Sequence, residues 1–126
     1  MVSLIDKSDN SYKSATLLLS KGHYCNSIQC AYFSSLQYAK GVLLNKLAEE
    51  DLKALAQNRG SHDAIIRETT RLMERKDGGK FAENINQLKR LRVNAIYNTD
   101  DYSEQVASEA LTKSELIIRI LKTIKN

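Results

Sequence analysis

No proline interrupts this chain of 126 residues, and only five glycines do. Proline removes a helical hydrogen bond and clashes with the preceding turn, while glycine costs a helix interior about 1 kcal/mol relative to alanine. A chain that nearly avoids both, with apolar residues returning at three- and four-residue steps, is built for long helices. No segment alternates apolar and polar residues convincingly, so no sheet is expected.

The periodicity predicts five helices. The first runs from about Leu4 to Ser20 on Ile5, Tyr12, Ala15, Leu18 and Leu19, and Gly22 supplies a left-handed stop. The second starts near Tyr24 and continues to about Leu47. Tyr24, Ile28, Ala31, Tyr32, Ser35, Leu36, Ala39 and Leu43 form its inner side, leaving Gln29, Gln37, Lys40 and Lys46 outside. Residues 48–60 (AEEDLKALAQNRG) are polar and less periodic and read mainly as a connection. Ser61 then has the chemistry of an N-cap, with Asp63 in a first turn where a negative charge is favourable. Ile65, Ile66, Thr69 and Leu72 give this third helix its apolar side. KDGGK at 76–80 holds the only glycine pair and is expected to be a flexible tip. A fourth helix follows from about Phe81 to Tyr97 on Phe81, Ile85, Leu88, Leu91, Ala95 and Ile96. NTDDY ends it, and Ser103 caps a fifth that carries Val106, Ala110, Ile117, Leu121 and Ile124. The expected fold is all-α: a single domain over residues 1–126, an antiparallel bundle with an up-and-down four-helix core plus a short extra helix.

Composition narrows the function classes. A hydrophobic fraction of 42% is enough for one core, and no apolar run approaches the ~20 residues that span a bilayer. The opening MVSLIDKSDNSYKS is polar and acidic where a signal peptide would be apolar, so a cytoplasmic protein without a membrane role is expected. Cys25 and Cys30 are turned apart by five helical positions, about 500° of rotation, and are read as buried reduced thiols. With no CxxC, no His-x3-His and no third thiol, neither a metal nor another cofactor is expected. The net charge of +4 is mildly basic and compatible with an RNA or nucleotide partner. The excess concentrates in residues 61–98, where eight bases face five acids.

Chemistry-bearing residues are few. Of the two histidines, His23 follows Gly22 with no orienting acid nearby and reads as an exposed turn residue. His62 stands at a helix start in the basic region, where backbone donors favour a phosphate and the dipole lowers an imidazole pKa, so it is a weaker site candidate. Gly78 and Gly79 are a turn signal rather than a phosphate loop, and Asp100 and Asp101 read as capping and solubilising acids.

The segment LKRLRVNAIYNTDDYSEQ (88–105) carries the main candidates. Arg90 and Arg92 flank Leu91 and are expected to form a positive cluster on the outside of the fourth helix. Guanidinium groups suit bidentate phosphate contacts, and a nearby tyrosine can stack on a base. Arg90, Arg92, Asn94 and Tyr97 are therefore the candidate binding patch. The bland alternative is a solvated basic face beside a core Tyr97.

Two stretches resemble the HEPN family of small helical proteins. ATLLLSKGHYCNSIQCAYFSSLQYAKGVLL (15–44) resembles the family's opening hairpin, with Gly-x-Tyr between helices and the small-aromatic-aromatic step Ala31-Tyr32-Phe33. GSHDAIIRE and LKRLRVNAIYNTDDYSEQVASEALTKSELIIRIL resemble its later helices, where an arginine near one helix end precedes a polar loop and an alanine-rich last helix. The resemblance implies a helical bundle, commonly a homodimer, and in catalytic relatives a metal-independent ribonuclease built on Arg-x4–6-His from two protomers. Arg92 matches the arginine, but Tyr97 stands where the histidine would be, and no histidine follows it. Tyrosine, with a pKa near 10, is a poor general acid or base at neutral pH.

The resulting expectation is a noncatalytic HEPN-like homodimer that binds RNA, a nucleotide or a protein partner across its seam. By analogy with toxin–antitoxin and defence systems, that partner could be a nucleotidyltransferase. The alternatives are a ribonuclease toxin in which Tyr97 or His62 replaces the missing base, and a purely structural scaffold.

Overall fold

The computed structural model describes residues 3–46, 50, 61–97 and 102–124. Among them are five helices and no strand: α1 (Leu4–Ser20), α2 (Tyr24–Lys46), α3 (Ser61–Arg71), α4 (Arg75–Tyr97) and α5 (Glu104–Leu121). The expected connection at 48–60 lies outside the described residues apart from Glu50. The expected break after α4 likewise falls outside them, up to Tyr102.

Local chemistry sets several helix ends. Ser3 caps α1 through a capping box: its side chain accepts from the Asp6 N–H, and the Asp6 carboxylate accepts from the Ser3 N–H. Gly22 turns the chain into α2 at φ +79°, a conformation that costs any residue with a Cβ. The Ser103 hydroxyl accepts from the Val106 N–H and starts α5.

α2 is the spine, packed against each of the other four helices. Its inner face supplies Ile28, Tyr32, Leu36, Ala39 and Leu43. These meet Ile65 and Ile66 of α3, Phe81, Ile85 and Leu88 of α4, and Ala110, Ile117 and Leu121 of α5. Each large apolar side chain buried there stabilises the fold by roughly 1.5–3 kcal/mol. The α1–α2 hairpin is antiparallel, joined by Ser8–Ser34, Ser11–Gln37 and Ala15–Ser27 contacts. Small buried residues let these helices approach closely. Serine hydroxyls satisfy one another or backbone carbonyls across the seams, as where Ser114 meets Ser35 at 2.8 Å and the Ala31 carbonyl at 3.0 Å.

The glycine pair does not form a flexible tip. The turn occupies residues 72–74, and the Gly78 N–H already donates to the Glu74 carbonyl at 2.8 Å within α4. Gly78 is buried, and a Cβ there would stand 3.2 Å from Thr70 Cγ2 and 3.3 Å from the Thr70 carbonyl oxygen. The glycine serves the close approach of α3 and α4. Two further expectations are corrected. Ile96, assigned to the apolar side of its helix, is 40% exposed. The thiols of Cys25 and Cys30 are free, as expected, but half-buried rather than buried.

Candidate functional site: a cationic aromatic junction of three helices

On α4, Phe81, Ile85 and Leu88 are fully buried and follow one another at four- and three-residue steps. The next position on that stripe is Arg92. It therefore turns toward α2 rather than onto the outer surface, which corrects its expected place in an external cluster with Arg90. Its Cζ lies 4.9 Å from the Phe33 ring centroid and 5.5 Å from that of Tyr32, within cation–π range of both. Its Nε is buried without a hydrogen-bond partner, and the guanidinium makes no ion pair among the described residues.

α3 brings His62 onto the same aromatic pair. The imidazole centroid is 5.9 Å from Tyr32 and 6.5 Å from Phe33, edge-on to the latter. His62 Nδ1 stands 3.2 Å from the Tyr32 hydroxyl. Burial is the main force holding His62 below the usual histidine pKa. The positive charges of Arg92 and Lys89 add to it, and Asp63 opposes it. Burial also pushes Tyr32 up to about 12. The phenol stays protonated and is the natural donor to an unprotonated Nδ1, the tautomer in which the neutral ring carries its one N–H on Nε2. Lys89, one turn before Arg92, is paired with Asp63 beside His62.

The other members of the predicted patch leave α4 on its outer side. Arg90 and Asn94 line a shallow groove of about 440 Å³ with Asn86, Lys89 and Val93. Tyr97 is 78% exposed and is not a core tyrosine. Five helical positions turn it about 140° from Arg92, so the two side chains do not converge within one chain. The structure thus splits the patch. Arg92 joins His62 inside the junction, while Arg90 and Asn94 line a surface groove with Val93, and Tyr97 lies exposed on that same outer side of α4 with Ile96. His23 is exposed in the α1–α2 turn, as read from the sequence, and Asp100 and Asp101 lie outside the described residues. No group of three or more metal-ligating side chains occurs among the described residues.

Sequence reading did not place Tyr32, Phe33, Lys89 or Asp63 in a site. The available signal was register: an arginine occupying the core stripe of α4 must meet whatever α2 presents there. A separate cleft of about 550 Å³ lies against α1 and α5, lined by Tyr12, Tyr38, Asp6, Asp9, Glu115, Arg119 and Lys122 among others. Its mixed charge does not favour a polyanion.

The fold is a small all-α helical bundle in which an arginine and a histidine meet on one aromatic pair. The HEPN domain family model matches residues 1–124, and the chain belongs to that family. No curated protein and no solved structure matches it. Among the described residues, no helix is long and apolar enough to cross a membrane.

Proposed function

We propose that this chain is a noncatalytic HEPN module that binds RNA through phosphate contacts centred on Arg92, and that it works as a homodimer formed over the outer face of α4. One observation carries the binding role. Arg92 occupies a core register, its Nε is buried and unbonded, and two rings hold the guanidinium plane. A preorganised guanidinium with no carboxylate paired to it among the described residues is suited to a phosphate. Lys89, Arg90 and Asn94 extend donors along the same helix toward the groove. The noncatalytic reading rests on Tyr97, a phenol turned away from Arg92. A free nucleotide or a nucleotidyltransferase partner remains open to the same surface.

A specific observation favours a second reading: Arg92 and His62 meet on Tyr32 and Phe33, so a ribonuclease using His62 in place of the missing base has its two groups close together. Fluorescence anisotropy with a single-stranded RNA of about ten nucleotides, together with a metal-free cleavage assay, separates these readings. The expectation is binding that weakens steeply between about 50 and 200 mM salt, weakens at least several-fold in Arg92→Ala, and leaves the RNA intact. Cleavage abolished by both Arg92→Ala and His62→Ala would establish the enzyme instead. No salt-dependent binding at all would leave a scaffold.

A further inference from the structure

The charges at the junction do not balance a phosphodiester and a phosphate end equally. Lys89 and Asp63 pair with each other, Arg92 has no counter-ion among the described residues, and burial together with the nearby positive charges disfavours the imidazolium form of His62. The resting junction therefore offers the net charge of Arg92, with Lys40 of α2 adding a weaker positive field. One internal phosphodiester carries a single negative charge, whereas a terminal phosphate approaches two near neutral pH, its second pKa being about 6. Among the described residues, His62 is the group facing the junction that can supply a second positive charge by taking up a proton in that pH range.

Resting on the RNA-binding reading, we infer that the junction takes a terminal phosphomonoester, of an RNA end or a mononucleotide, and that His62 is its proton-linked anchor. The phosphate docks on the Arg92 guanidinium, and its charge draws a solvent proton onto His62 Nδ1. Tyr32 then changes role, from donor to acceptor of the new Nδ1–H, a change that its hydroxyl makes by rotation at the 3.2 Å separation already present. Nε2–H is left to donate to a phosphate oxygen. The bound state is an arginine and an imidazolium against a dianion. Each described charged group acting on His62 has a place in this scheme. Arg92 and Lys89 on α4 and Lys40 on α2 disfavour the imidazolium until the dianion offsets them, and Asp63 on α3 favours it throughout.

The test uses the full chain and two RNAs of one sequence, with a 5′-phosphate or a 5′-hydroxyl, titrated by anisotropy between about pH 6 and 8. Adenosine monophosphate serves as competitor. In parallel, NMR follows the His62 ring Cε1–H while inorganic phosphate is added. The phosphorylated RNA is expected to bind severalfold tighter near pH 6, and its affinity to fall by at most about tenfold per pH unit above that, the limit for uptake of one proton. The preference should shrink toward pH 8 and disappear in His62→Gln. The His62 resonance should move toward its imidazolium position as phosphate is added. Competition by the monophosphate would assign the site to mononucleotides as well as RNA ends. Salt-dependent RNA binding through Arg92 with no end preference, and with a pH profile untouched by His62→Gln, would overturn this inference and leave the RNA-binding role standing. If neither RNA binds but phosphate still shifts His62, the RNA role falls and the phosphate site survives. A His62 signal indifferent to phosphate defeats the site itself.

Discussion

Arg92 is the residue where the demands of fold and function diverge. The stripe that places Phe81, Ile85 and Leu88 in the core asks for another apolar side chain at its next step. A buried unsatisfied donor costs about 1–3 kcal/mol, which the two cation–π contacts with Phe33 and Tyr32 roughly match, whereas an apolar side chain at this step would carry no such cost. Arg92→Leu is accordingly expected to melt no lower than the parent protein, and to lose RNA binding. A clear drop in melting temperature would mean that the guanidinium holds the bundle together instead. His62 gives a second residue-scale expectation. Its folded pKa lies below its unfolded one, so the unfolded chain binds more protons and stability falls as pH drops through and below the unfolded histidine value of about 6.5. The part of that loss due to Arg92 should lessen in Arg92→Leu, which removes one of the positive charges disfavouring the imidazolium. Parallel urea melts between about pH 7 and 5 would show it, and identical slopes in both proteins would refute the coupling.

At the scale of elements, α4 is a helix with two working faces. One face continues the core into the junction, and the other presents Arg90, Val93, Asn94 and Tyr97 to solvent. Its start at Arg75 is hidden in the sequence because a glycine pair in a charged stretch has the local signature of a loop. The fact that overrides it, Thr70 of α3 lying against Gly78, is not local. The end of α1 was legible, since Gly22 combines its position after the last apolar residue with the one positive φ among the described residues. Gly22→Ala is expected to destabilise the chain by about 1–2 kcal/mol through backbone strain, because nothing lies within 4 Å of the added Cβ. An unchanged chemical-denaturation midpoint would show that the turn relaxes into another conformation.

For the whole molecule, the exposed apolar residues of α4 bear on assembly. Val93, Ile96 and Tyr97 are 38%, 40% and 78% exposed on the last turns of one helix, beside the groove that holds Arg90 and Asn94. In the proposed homodimer they meet their symmetry mates, and a self-complementary face of this kind closes after two copies. Sedimentation at micromolar concentration is expected to give a dimer, and Val93→Glu combined with Ile96→Glu a folded monomer. A parent protein that sediments as a monomer would remove the seam from the proposal while leaving the Arg92 junction intact.

The helices α1, α2 and α5, the antiparallel bundle and the family were all legible along the chain, because apolar spacing, caps and the shortage of helix breakers are properties of neighbours in sequence. Arg92 was legible as a candidate for the same reason. Its partners were not. Periodicity states how far around its own axis a side chain points, but not what lies opposite, and Tyr32, Phe33 and His62 arrive from two other helices. Only the tertiary packing decided that Arg92 faces an aromatic pair and a histidine, and that Tyr97, five residues on, faces away from them.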